Sequence, residues 1–188
     1  MISRPALFAL LLAASSAAIA HPGDIAGGAL HGFAHPFGGL DHLLAMLAVG
    51  VWAARFSGAA RWVLPAAFVG FMTAGAALGG AFALPLVEPM IALSVLVLGL
   101  ATAIAVRLPV PAGGAVVALF ALYHGHAHFN DMPAETSVAG FAAGMLAATA
   151  LLHLSGIFVA LQLARVRAWL PRALGGAVSL AGAWLLIG

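Results

Sequence analysis

The sequence predicts an all-α, polytopic membrane protein: a cleaved signal peptide at residues 1–20, then a bundle of six transmembrane helices over residues 21–188. Three observations carry this. Of 188 residues, 64% are hydrophobic and 6% charged, with a mean hydropathy of +1.15; soluble domains sit near about 45–50% apolar. The apolar residues fall into runs that match or approach the ~20 residues a helix needs to cross a ~30 Å hydrocarbon core. The arginines fall on one side of the membrane when the chain is threaded through six crossings.

The elements follow in order. Arg4 gives a positive start, Ala6 to Leu12 a short apolar segment, and Ala18-Ile19-Ala20 a small-x-small cleavage pattern, so His21 becomes the mature N-terminus. Spans are expected near 37–56, 62–84, 87–107, 112–130, 136–164 and 170–188. The runs are too long and too uniformly apolar for barrel strands. The fifth is longer than a crossing needs and should tilt or project. Pro171 and Arg172 make the sixth the weakest. With the mature N-terminus outside, Arg55 and Arg61, then Arg107, then Arg165, Arg167 and Arg172 fall in inner loops, while Asp24, Glu88, Asp131 and Glu135 fall outside. Removing one span would put later arginines on the wrong side. This places the protein in a bacterial inner membrane with both mature termini periplasmic. Gly75-x-x-x-Gly79 and Gly140-x-x-x-Gly144 suit close helix packing. No convincing internal repeat is visible.

Composition closes several routes. The sequence pI is about 10.5, yet there is no lysine, and the seven basic residues are scattered arginines with no stripe or aromatic platform for nucleic acid. There is no cysteine, which excludes disulfides, thiolate zinc sites, iron–sulfur clusters and thiol nucleophiles. No phosphate-binding G-x-x-x-x-G-K-[ST] loop is present, so no ATP site is visible in the sequence.

The polar residues are few and clustered. Of eight histidines, His21, His31, His35 and His42 lie near the start, His124, His126 and His128 lie in YHGHAHFND, and His153 stands alone. Ionisable groups in a membrane segment are costly without a compensating partner. On a helix, His124, His128 and Asp131 fall within about 60° of arc, with His126 pointing roughly the other way. Two imidazoles at i and i+4 can reach one metal ion. In HPFGGLDH, Pro36 suits a first helical position, placing His35 just before the span. Gly38 and Gly39 permit a bend or a close neighbour. Asp41 either ligates directly or accepts a hydrogen bond from a ligand imidazole. Asp41 and His42 should lie about 7–10 Å below the outer face, with His124 at similar depth, Glu88 opening the third span on the same side, and Met46 one turn below His42. Imidazoles with carboxylates and no thiolate suit Ni²⁺, Co²⁺ or Zn²⁺ over Mg²⁺ or Ca²⁺; affinity alone would also admit Cu²⁺. His153 is either a packing residue or an inner relay. His21 and Asp24 either decorate a flexible tail or capture metal at the entrance.

HPFGGLDHLLAM and FALYHGHAHFND together resemble the two signatures of the HupE/UreJ family of small nickel/cobalt permeases associated with hydrogenase and urease operons. His35, Pro36, Gly39, Asp41 and His42 match the first. His124, Gly125, Ala127 and His128 match the second, in which Tyr123 replaces a phenylalanine, Phe129 a glycine and Asp131 a glutamate. The resemblance covers essentially the whole chain. It implies metal-contacting roles for His35, Asp41, His42, His128 and Asp131, with Glu88 a further acidic participant. The helical geometry adds His124 and, more weakly, His126.

The expected function is import of Ni²⁺ or Co²⁺ as the transported ion, with no permanent cofactor and no catalysis, in functional link to maturation of a nickel or cobalt enzyme. A homo-oligomer is compatible with this reading. The alternatives are a metal-binding membrane sensor or accessory protein without transport, a b-type haem protein held by two histidines, and an intramembrane metallohydrolase, for which no H-E-x-x-H is present.

Overall fold

The computed structural model describes residues 25–106 and 108–188. The expected signal peptide, His21, Asp24 and Arg107 lie outside the described residues. Among those described the chain is all-helical, with seven α-helices: α1 (Ile25–Ala34), α2 (Leu40–Ala53), α3 (Val63–Gly79), α4 (Val87–Ala103), α5 (Val110–Asn130), α6 (Val138–Val166) and α7 (Leu170–Ile187). Short 3₁₀ turns at His35–Phe37 and Gly58–Trp62 lead into α2 and α3.

The helix ends fall close to the spans expected from the sequence. Residues 25–34, which that reading leaves unassigned, form a helix, and the chain turns by 83° between Ala26–Phe37 and Leu40–Ala53. Pro36 sits at the start of the intervening 3₁₀ turn, where its missing N–H costs nothing. Gly58–Gly79, Val138–Val166 and Leu170–Ile187 are long and apolar enough to cross a membrane, and the bent pair counts as a fourth if taken as one span. The apolar helix Val87–Ala103 is shorter, at 17 residues. α5 has 21 residues but ends in three histidines, which dilute its apolar character.

Helix α2 is the centre. Met46, Val49, Trp52 and Ala53 are all buried, as expected of a helix apolar around its whole circumference. It packs on α6, α4, α3 and α7, while α3 pairs with α5, α4 with α7, and α1 with α6. Small residues permit these pairings. Gly50 of α2 and Gly156 of α6 face each other's backbone. Gly125 of α5 lies against the Met72 carbonyl of α3. Outward faces stay apolar, with Leu180, Trp184 and Ile187 of α7 exposed, as lipid contact requires. The N-terminal end of α2 and the C-terminal end of α5 meet at one end of the bundle, which brings the two histidine motifs together.

Candidate metal centre

His42 lies in the first turn and a half of α2, and His124 and His128 one turn apart near the end of α5. All three are buried. Each offers one nitrogen such that these atoms lie within 4.8 Å of one another. Ring centroids are 4.6 Å apart for His42 and His128, 4.9 Å for His42 and His124, and 6.4 Å for His124 and His128. Ligand nitrogens bind such an ion at about 2.0–2.1 Å, which sets them roughly 3–4 Å apart. A modest rotation of the side chains brings them onto one ion.

The hydrogen bonds fix which nitrogens carry the protons. Asp41 Oδ1 accepts from the His42 backbone N–H at 2.7 Å and lies 2.8 Å from His42 Nδ1. A carboxylate only accepts, so Nδ1 carries the proton and the Nε2 lone pair is free. Ser94 Oγ donates to the Ile91 carbonyl at 2.6 Å, so it accepts from His124 Nε2–H at 3.0 Å. His124 therefore presents the Nδ1 lone pair. Buried His42 Nε2, His124 Nδ1 and both nitrogens of His128 have no hydrogen-bond partner. Buried polar atoms are rarely left so, and with one nitrogen of each ring within 4.8 Å of the others the three imidazoles could hold a metal ion.

Local sequence builds this arrangement. A Cβ at Gly39 would stand 2.6 Å from Asp41 Oδ1 and 3.3 Å from His42 Nδ1. The motif glycine thus leaves room for the Asp41–His42 clasp. Of the two roles open to Asp41 in the sequence, the structure shows the orienting one, a carboxylate–histidine pair.

The other expected site residues take different places. His35 is half-buried above the group, its ring centroid 5.1 Å from His128 and 6.4 Å from His42. Its Nε2 is 3.8 Å from Asp131 Oδ2, and Asp131 is 55% exposed. These two form a rim, and Asp131 stays out of the three-histidine group although it shares their helix face. The helix ends at Asn130, and Asp131, its cap, keeps helical dihedrals and lies beyond His128 at the exposed end of the helix. His126 Nε2 accepts from the Leu84 N–H at 3.3 Å, so His126 ties down the loop before α4. Glu88 is exposed in the first turn of α4. His153 lies deeper, on α6. Two neighbours escaped the sequence reading. Ser94 orients His124, and Phe68 packs on both His124 and His153, with centroids at 5.4 and 5.0 Å.

Comparison with known proteins accords with this geometry. Residues 9–185 match the family model described as HupE / UreJ protein. A curated relative, Protein HupE of Rhizobium leguminosarum bv. viciae, is 49% identical over 179 residues, covering 94% of each chain. No solved structure matches. A match spanning nearly the whole chain, together with a relative at this identity, shows that the chain belongs to the HupE / UreJ family.

Proposed function

We propose that the protein is an inner-membrane permease that imports Ni²⁺ or Co²⁺ and supplies a hydrogenase or urease. The single observation that carries the reading is the clustering of His42, His124 and His128, which have buried unpaired nitrogens, in a bundle of apolar helices. Helices α2 to α7 make the six crossings, after removal of the signal peptide, and the histidine end faces the periplasm. A hydrated dication first meets His35 and Asp131 at the rim. It then exchanges water for the three imidazoles, while Asp41 polarises His42 and offsets positive charge. Glu88 acts from the outer surface and His126 through the loop it holds.

The driving force needs no nucleotide. A potential negative inside contributes ~2.3 kcal/mol per charge per 100 mV. For a dication this is about 4.6 kcal/mol, on the order of a 10³-fold accumulation. The haem alternative fits poorly, because a porphyrin plane does not fit between His42 and His128, whose ring centroids are 4.6 Å apart.

Uptake of radioactive nickel and cobalt into cells lacking other importers tests the proposal. Expression should raise the initial uptake rate well above a vector control. Binding by the purified protein with uptake no greater than the vector's would favour a sensor or accessory protein.

Two predictions arise here. Asp41→Asn keeps the shape of the clasp but loses the charge that holds the His42 tautomer. Metal affinity should fall about 10–100-fold, the usual cost of losing such an orienting partner, with the thermal unfolding midpoint little changed. Isothermal titration with Ni²⁺ reads this, and unchanged affinity would show that the clasp is only structural. The second concerns pH. Metal binds neutral imidazole, so protons compete for the ligands as pH drops. Uptake should be steady from about pH 7 to 8 and fall below about pH 6. A rate that did not fall at any acid pH would contradict histidine ligation.

A further inference from the structure

We propose that Ser94 is a positioning residue of the metal centre, a neutral hydroxyl that fixes which nitrogen His124 offers and keeps the bound ion releasable. The inference rests on the permease reading and concerns a residue that acts on a ligand, not on the ion.

Ser94 of α4 and His124 of α5 are both fully buried, so solvent cannot stand in for either partner. The single hydroxyl proton of Ser94 goes to the Ile91 carbonyl at 2.6 Å, and the oxygen stands 3.0 Å from His124 Nε2. An oxygen whose proton is committed can only accept. It therefore holds His124 as the Nε2–H tautomer and leaves the lone pair on Nδ1. The bond back to the helix is the common use of a hydroxyl in a membrane segment, and other hydroxyls stop there. Thr73 bonds to the Val69 carbonyl and Thr102 to the Leu98 carbonyl, each one turn earlier. Of these three, Ser94 alone goes on to a ring of the histidine group.

The centre thus has two oriented rings with unlike partners. Asp41, an anion, lies 2.8 Å from His42 Nδ1. Ser94 holds His124 without a charge. A carboxylate raises the basicity of the imidazole it orients, and a hydroxyl does so less. Beside one carboxylate a dication keeps a net positive charge. A second carboxylate would neutralise it, and among buried groups that added attraction is large. An ion in transit must bind well enough to enter and weakly enough to leave. A hydroxyl at position 94 supplies the orientation without the second charge.

Variants at position 94, in full-length protein in nanodiscs, test both halves. Ser94→Ala removes the acceptor and little volume. Its Ni²⁺ affinity should fall about tenfold, the low end for loss of an orienting partner. Its visible Co²⁺ ligand-field spectrum should shift, and its thermal unfolding midpoint should change little. Ser94→Cys, close in size with a weaker acceptor, should fall between Ser94→Ala and wild type. Ser94→Asp restores the orientation and adds the charge, so it should bind Ni²⁺ about tenfold more tightly yet import it at least about threefold more slowly. Thr102→Val on the same helix loses only a bond to its own backbone and should leave affinity and spectrum unchanged. Nitrogen-15 spectra of the metal-free wild type, with labelled histidine, read the tautomer without depending on any Ser94 variant. The His124 signals, identified by their loss in His124→Ala, should be those of a single Nε2–H form. A His124 ring protonated on Nδ1 or averaging between tautomers, or Ser94→Ala matching wild type in affinity and spectrum, overturns the positioning role and leaves the permease reading standing. Ser94→Asp binding no tighter than wild type, or importing as fast, overturns the release role. His42→Ala binding and importing like wild type would remove the permease reading itself.

Discussion

Replacing any one of His42, His124 or His128 by alanine should lower Ni²⁺ affinity by at least about 100-fold, close to 2.8 kcal/mol at 1.4 kcal/mol per decade, and bring uptake to the vector level. Each removes one of three clustered imidazoles, and the neighbouring His35 sits above the group, against His128 and His42, rather than within it. The chain should still fold. Each substitution leaves a cavity where a buried ring stood, and His42→Ala and His124→Ala also break the bonds to Asp41 and Ser94, while the loss of unpaired buried nitrogens offsets part of that cost. Thermal stability without metal should therefore fall moderately, while stabilisation by added Ni²⁺ disappears. That pairing of effects separates a ligand from a packing residue. His126→Ala is the control on the same helix. It frees the Leu84 N–H, so it should weaken the fold slightly and leave Ni²⁺ affinity within about threefold. If His126→Ala cost as much affinity as His128→Ala, the site would have been placed on the wrong face of α5.

That contrast shows how far the sequence could be read. The i, i+4 spacing of His124 and His128 and their separation from His126 follow from helical periodicity, so the shared face was legible. Their meeting with His42 followed from threading the chain through six crossings and matching depths. Asp131 shares the face by angle, but the helix stops one residue earlier, and an angular argument does not register where a helix ends. Helix α1 was hidden because Ala-Gly-Gly-Ala-Leu-His-Gly-Phe-Ala has the composition of a linker. Its Gly28 and Gly32 instead face Ser137 and Phe141 of the α6 N-terminus, and tertiary packing overrides their poor helix propensity. Ser94 is the more instructive omission. It lies seven residues into α4, and His124 lies six residues before the end of α5. Equal depth on helices running opposite ways was a usable signal. A lone serine in a membrane helix more commonly bonds back to its own backbone, as Ser94 also does.

Gly125→Ala should be among the most damaging single methyl groups that can be added at a described glycine. Gly125 stands between His124 and His128 in chain and faces α3, where an added Cβ would collide with the carbonyl oxygen and carbon of Met72 and with the Ala76 nitrogen at 2.8 Å. These are backbone atoms, so no rotamer change relieves the contact, and α3 and α5 must move apart. On the α3 side Gly75 meets the Leu122 backbone in the same way, so the two helices are held together along this seam by mutual close approach. Overpacking of this kind costs typically 1–3 kcal/mol, and a backbone collision belongs at about the upper end. The displacement also carries His124 and His128 away from His42, whose position is set by α2. Ni²⁺ affinity should therefore fall about tenfold or more alongside the loss of stability, even though no donor atom has been removed. Gly70→Ala on α3 gives the reference, because nothing lies within 4 Å of a Cβ there. It should be neutral or mildly stabilising, since alanine is the better helix former by about 1 kcal/mol. Thermal unfolding and Ni²⁺ titration of the two variants side by side read both effects. Equal behaviour would mean that the α3–α5 seam is looser than backbone contact, and that the histidines owe their positions to something other than that seam.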